Sequence, residues 1–148
     1  MKKAETSIKL TMIANRMVAL VVLALVFTLP MLLDWYCSFR ALTELERTAL
    51  VAAFYSCAGV IGIALWHMDR LLCALRQGMV FTRRNVKRIS NIRWCCCGVA
   101  LICLPAAACY YPLIFLVLIM GFLSLVVSAL CHVMAAAVEL REENDLTV

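Results

Sequence analysis

Residues 113–138 read LIFLVLIMGFLSLVVSALCHVMAAAV, 26 residues without one formal charge. At 1.5 Å per residue a helix of that length covers about 39 Å, more than the ~30 Å hydrocarbon core of a bilayer. The stretch predicts a membrane-spanning helix with length to spare for tilting or emerging. Immediately before it lies a second apolar run, residues 94–111, with Pro105 near its middle. Only Tyr110-Tyr111-Pro112 separates the two, so they form an antiparallel hairpin with tyrosines at the interface. Further back, residues 49–68 form a 20-residue run that ends in Trp66, His67, Asp69 and Arg70. Beyond it Leu71, Leu72 and Leu75 recur at helical spacing up to Gly78, a predicted helix stop. A first span is read at residues 17–37, apolar as far as Leu33 and closed by Asp34-Trp35-Tyr36. Its core is too long for a signal peptide and no small-residue cleavage site follows, so it is expected to be retained.

Composition agrees with four spans in a single transmembrane domain over 1–148. The chain is 66% apolar and 16% charged, against roughly 45–50% and about 25% in soluble domains. A soluble domain of this size could not hide so much apolar side chain. The fold class expected is all-α, an integral membrane four-helix bundle.

The net charge of +5 is unevenly placed. Between positions 69 and 93 stand Arg70, Arg76, Arg83, Arg84, Lys87, Arg88 and Arg93 against the single acid Asp69. The first 16 residues carry Lys2, Lys3, Lys9 and Arg16 against Glu5. Arg40 and Arg47 are balanced by Glu44 and Glu46, and the last turn is uncharged. Basic loops stay in the cytoplasm. Both termini and the central loop are therefore expected inside. Within that loop Thr82 suits an N-cap, and Phe81 with Val86 suits a hydrophobic staple. Val86, Ile89 and Ile92 share one face, so a short amphipathic helix is expected to rest on membrane lipid at the inner leaflet. The loop lacks an aromatic stacking platform, so direct nucleic-acid binding is not expected. The acidic tail, Glu139 to Val148, lies on the same side and is expected either to pair with the loop or to remain a solvated helix end.

Two motifs, Gly78-Met79-Val80-Phe81-Thr82-Arg83-Arg84-Asn85-Val86-Lys87-Arg88-Ile89 and the ending Leu140-Arg141-Glu142-Glu143-Asn144-Asp145-Leu146-Thr147-Val148, resemble the domain of unknown function 2975 family. The resemblance extends over nearly the whole layout of the chain. It implies a small four-span protein of the bacterial inner (cytoplasmic) membrane. It supplies no activity. Members often accompany a small helix-turn-helix regulator, which implies a membrane partner for a transcription factor. Arg84 departs from the family, many of whose members carry an acid there.

No Ser-His-Asp set, HExxH or paired carboxylate falls within the spans. Asp34 has no neighbouring base. The chain is therefore read as a non-enzyme without cofactor. Of the nine cysteines, Cys95, Cys96 and Cys97 are consecutive and point about 100° apart on a helix. Together with Cys131, His67 and His132 they share one depth, and His with Cys suits zinc or copper. Cysteine also packs simply as a small hydrophobe, and no recognised ligand spacing is present, so no metal site is assigned. Ala58 with Gly62, and Ser124 with Ser128, have the spacing that lets helix backbones approach closely, within the bundle or in a homo-oligomer.

The reading is of an accessory or signalling protein whose cytoplasmic face binds a partner. Phe81, Thr82, Asn85, Val86, Arg88, Glu142, Glu143, Asn144 and Asp145 are the candidate contacts. The alternatives are a small transporter or metal-handling protein, or a structural subunit of a larger membrane complex.

Overall fold

A computed structural model describes residues 2–39, 43–79 and 81–146, with side chains over 6–36, 43–79 and 81–144. Among these residues there are four α-helices and no strand: α1 (Lys2–Phe39), α2 (Glu44–Arg76), α3 (Arg83–Cys109) and α4 (Leu113–Leu146). All four are long and apolar enough to cross a membrane, and the protein is a multi-pass membrane protein.

Each helix is longer than its apolar run, for local reasons. α2 starts at a reciprocal cap. The Thr43 hydroxyl accepts from the Glu46 amide at 3.4 Å, and the Glu46 carboxylate accepts from the Thr43 amide at 2.8 Å. It ends in a Schellman turn. The Gly78 amide donates to the Leu75 carbonyl at 3.1 Å and the Met79 amide to the Ala74 carbonyl at 3.1 Å, with Gly78 at φ +77°. A side chain at that φ is strained, so Gly78→Val should cost about 1–2 kcal/mol. Tryptophan-monitored thermal unfolding in detergent should rank Gly78→Val below Gly78→Asn, because Asn tolerates the left-handed region.

The short amphipathic helix expected in the central loop is not a separate element. Residues 83–93 are the first turns of α3. No Gly or Pro interrupts the chain between Val86 and Gly98, so the helix begun at Thr82 runs straight into the span. α1 likewise includes the basic N-terminal segment, and α4 carries on through the acidic tail. Pro30 and Pro105 both lie inside helices. The α3–α4 hairpin is closed by backbone bonds from Tyr110 to Ala106, Leu113 to Tyr110 and Ile114 to Tyr111.

The helices pack in chain order. α1 meets α2, α2 meets α3 and α3 meets α4, and among the described residues no other helix pair approaches backbone to backbone. The core is small: Cys57, Val99 and Cys103 are buried, surrounded by Val60, Ile61, Ile102, Leu116, Val117 and Met120. The Cys57 and Cys103 sulfurs lie 3.5 Å apart. Beside them an apolar cavity of 310 Å³ is bordered by all four helices, including Leu29, Ala53, Cys103 and Met120. Within the chain the small-residue spacing at Ala58 and Gly62 does not mark a close approach at Gly62. A Cβ on Gly62 would meet nothing within 4 Å, and both residues line an open groove between α1 and α2.

Lipid tails are as apolar as leucine, so helix association needs packing and polar links. α1 has such links along its length. Asn15 donates to the Leu65 carbonyl at 3.2 Å, Arg16 pairs with Asp69 at 3.4 Å, and Tyr55 donates to the Val26 carbonyl at 3.2 Å. At its far end Asp34 pairs with Arg47 at 2.7 Å, and the Tyr36 and Tyr110 hydroxyls meet at 2.8 Å. One end of the molecule thus carries tyrosines. The other carries most of the arginines, the start of α3 and the end of α4.

Candidate functional site

At the arginine-rich end the loop after α2 folds back under the first turn of α3. The residue that holds it is Asn85, only 1% exposed. Its amide nitrogen donates to the Met79 carbonyl at 2.6 Å. Its carbonyl oxygen accepts from Arg88 Nη1 at 3.1 Å, and the same Nη1 donates to the Arg70 carbonyl near the end of α2 at 2.9 Å. A buried amide satisfied on both sides fixes the loop in one conformation. Asn85 therefore supports this face from beneath and is not among the side chains offered to a partner. Arg88 is half-buried and braces α2 against α3.

Thr82 occupies the N-cap position, but its side chain makes no cap hydrogen bond, contrary to the sequence expectation. Backbone bonds from Asn85 and Val86 to the Thr82 carbonyl start the helix. Phe81 stays 43% exposed, beside a hollow it shares with Thr82, Val138, Arg141 and Glu142. Val86 is half-buried, and its carbonyl receives the Cys131 thiol at 3.7 Å.

Among the described residues, an ion pair between Arg83 and Glu142 ties the tail to the start of α3. Arg83 Nε donates to the two Glu142 oxygens at 2.9 and 3.2 Å, and Nη2 also engages Oε2. This two-pronged clasp joins the start of α3 to the end of α4. Glu143 and Asn144 are exposed, and the Asp145 side chain lies outside the described residues. The Arg83 hydrogen bonds hold the Glu142 carboxyl below its ordinary range. A depressed carboxylate stabilises above its unfolded pKa, about 4.3, and that contribution fades as pH falls through the lower folded value. The last turn of α4 should therefore exchange amide hydrogens faster as pH drops below about 4, after correction for intrinsic rates. Glu142→Gln should show the faster exchange already at pH 7. A pH-independent protection of residues 139–144 would contradict the clasp.

Deeper along the same end, Arg93 connects α3 to α4. Its Nη1 donates to the Ser128 hydroxyl at 3.2 Å, while the Ser124 hydroxyl donates to the Arg93 carbonyl at 3.4 Å. Its guanidinium lies 5.4 Å over the Trp94 ring. The Ser124 and Ser128 spacing, read from sequence as a packing stripe, serves these hydrogen bonds. His67 meets Asn91 at 3.3 Å across α2 and α3. His132 Nδ1 contacts the Ser128 carbonyl of its own helix at 2.8 Å and is exposed. Among the described residues no three His, Cys, Asp or Glu side chains come together to hold a metal. Cys95, Cys96, Cys97 and Cys131 are not gathered with the histidines into such a group.

Neither the curated proteins nor the solved structures give a match. A family model does match, over residues 9–148, which include the loop, the clasp and all but the first turns of α1. The chain belongs to the family described as Protein of unknown function (DUF2975).

Proposed function

We propose that this protein is a non-enzymatic accessory or signalling protein of a bacterial inner membrane, with both termini in the cytoplasm. The concentration of Lys and Arg at one end of the helices supports that orientation. The proposed working surface is the face formed by the loop after α2 and the end of α4. The observation that carries the reading is its construction. A loop pinned by a buried Asn85 and clasped by Arg83–Glu142 holds Phe81, Met79, Glu139 and Glu143 exposed and in place. Fixed aromatic and charged groups on a rigid base are what a protein partner recognises. The partner proposed is a small helix-turn-helix regulator, held from DNA while docked, as the family resemblance implies.

The test is capture of such a regulator from native membranes after mild crosslinking. Phe81→Ser removes an exposed ring without disturbing Asn85 or the clasp. Capture with the intact protein and its loss with Phe81→Ser, at matched expression and unfolding temperature, is the expected result. Equal capture by both proteins would place the contact elsewhere. No regulator with either would turn attention to solute uptake and metal content, the behaviour of a small transporter.

A further inference from the structure

Beneath the loop, between the end of α2 and the start of α3, lies a hollow of 460 Å³. Arg70, Arg84 and Arg88 all line it, with Thr82 and Gln77, and no carboxylate does. The nearest acid in sequence, Asp69, is paired with Arg16 of α1. None of the three arginines takes part in an ion pair among the described residues. Arg88 spends Nη1 on the Arg70 and Asn85 carbonyls, which fixes its plane. Arg70 is steadied 5.6 Å over the Trp66 ring. The Thr82 hydroxyl, unused as a cap, adds a donor at the positive end of the 27-residue α3.

Three arginines line one hollow without a counter-charge, which makes it a receptor for an anion. A guanidinium fork binds two oxygens of a carboxylate or a phosphate, and several arginines can share the oxygens of one phosphate. The location selects the source. Arg70 stands two residues beyond the apolar run that ends at Met68, at the level where headgroups lie, and Cys73 and Ala74 provide an apolar wall. Basic pockets between spans at that level take anionic headgroups. We propose that this hollow binds the phosphate of one anionic phospholipid through Arg70, Arg84 and Arg88. The site adjoins the exposed Phe81 surface, with Met79 and Thr82 common to both, but its three arginines lie outside the Phe81 hollow and it does not depend on the identity of any protein partner.

Native mass spectrometry of the intact protein in mild detergent tests this, with phosphatidylglycerol, phosphatidylcholine and inorganic phosphate added in turn. Retention of one phosphatidylglycerol, and of no phosphatidylcholine, is expected. Arg84→Gln and Arg70→Gln should each weaken that retention about fivefold. Lys87→Gln removes the same charge outside the hollow and should leave it unchanged. All three variants spare the Asn85–Arg88 brace, so folding is preserved. Equal weakening by Lys87→Gln would overturn the pocket in favour of diffuse attraction. Equal retention of the two lipids would overturn it as well. Displacement of phosphatidylglycerol by millimolar inorganic phosphate would keep the phosphate site and overturn its assignment to lipid.

Discussion

Asn85→Ala is expected to destabilise the protein by about 2–3 kcal/mol. The side chain is 1% exposed and satisfies two groups at once. Truncation leaves the Met79 carbonyl without its donor and one Arg88 N–H without that acceptor. A part-buried carbonyl stripped of its donor, together with a fully buried site left unfilled, costs more than the net worth of one bond. The unfolding temperature in detergent should fall, and amide exchange over residues 79–88 should rise first. Arg88→Ala removes the other half of the same network, so the two changes should be strongly non-additive in a double-mutant cycle. Additive losses would mean that Asn85 and Arg88 act independently.

Val99→Asp should be at least as damaging, at about 3 kcal/mol or more. Val99 is 3% exposed and packs with Cys57 and Cys103 well inside the third span. A carboxylate there has no partner and no water. Val99→Thr keeps the shape, and its hydroxyl can bond back to the preceding turn of its own helix. It should cost about 1–3 kcal/mol, the penalty for burying a hydroxyl that this bond offsets in part. Resistance to unfolding in mixed detergent micelles should therefore rank wild type, Thr, then Asp. If Asp were tolerated, α2 and α3 would not be packed at Val99.

The four spans and the α3–α4 hairpin were legible because hydropathy and a three-residue turn leave little choice. So was the end of α2, because Gly78 is the one glycine at a helix boundary that needs a positive φ. Other features were beyond a one-dimensional reading. Hydropathy marks where a helix enters lipid, not where its hydrogen bonds begin, so the loop helix was separated from a span with which it is continuous. Among seven basic residues in the loop region, nothing in the sequence singles out Arg83 as the partner of Glu142. Asn85 was recognised as a motif residue, but its burial depends on Met79 folding back, which a local pattern does not reveal. Thr43-Glu44-Leu45-Glu46 carried a capping-box signal that the sequence reading passed over. Arg93 was counted toward orientation, and its link to Ser128 needed the relative rotation of two helices.

The chain-order packing has a consequence for biogenesis. Among the described residues every backbone interface joins a helix to its immediate predecessor, so no helix must wait for a distant part of the polypeptide. Each can lodge against the one before it as synthesis delivers it to the membrane, and loop closure costs little. The Tyr36–Tyr110 bond differs, bridging 74 positions from α1 to the α3–α4 turn. It can form only after α3 has been made, which makes it a late tie on a molecule otherwise assembled one neighbour at a time.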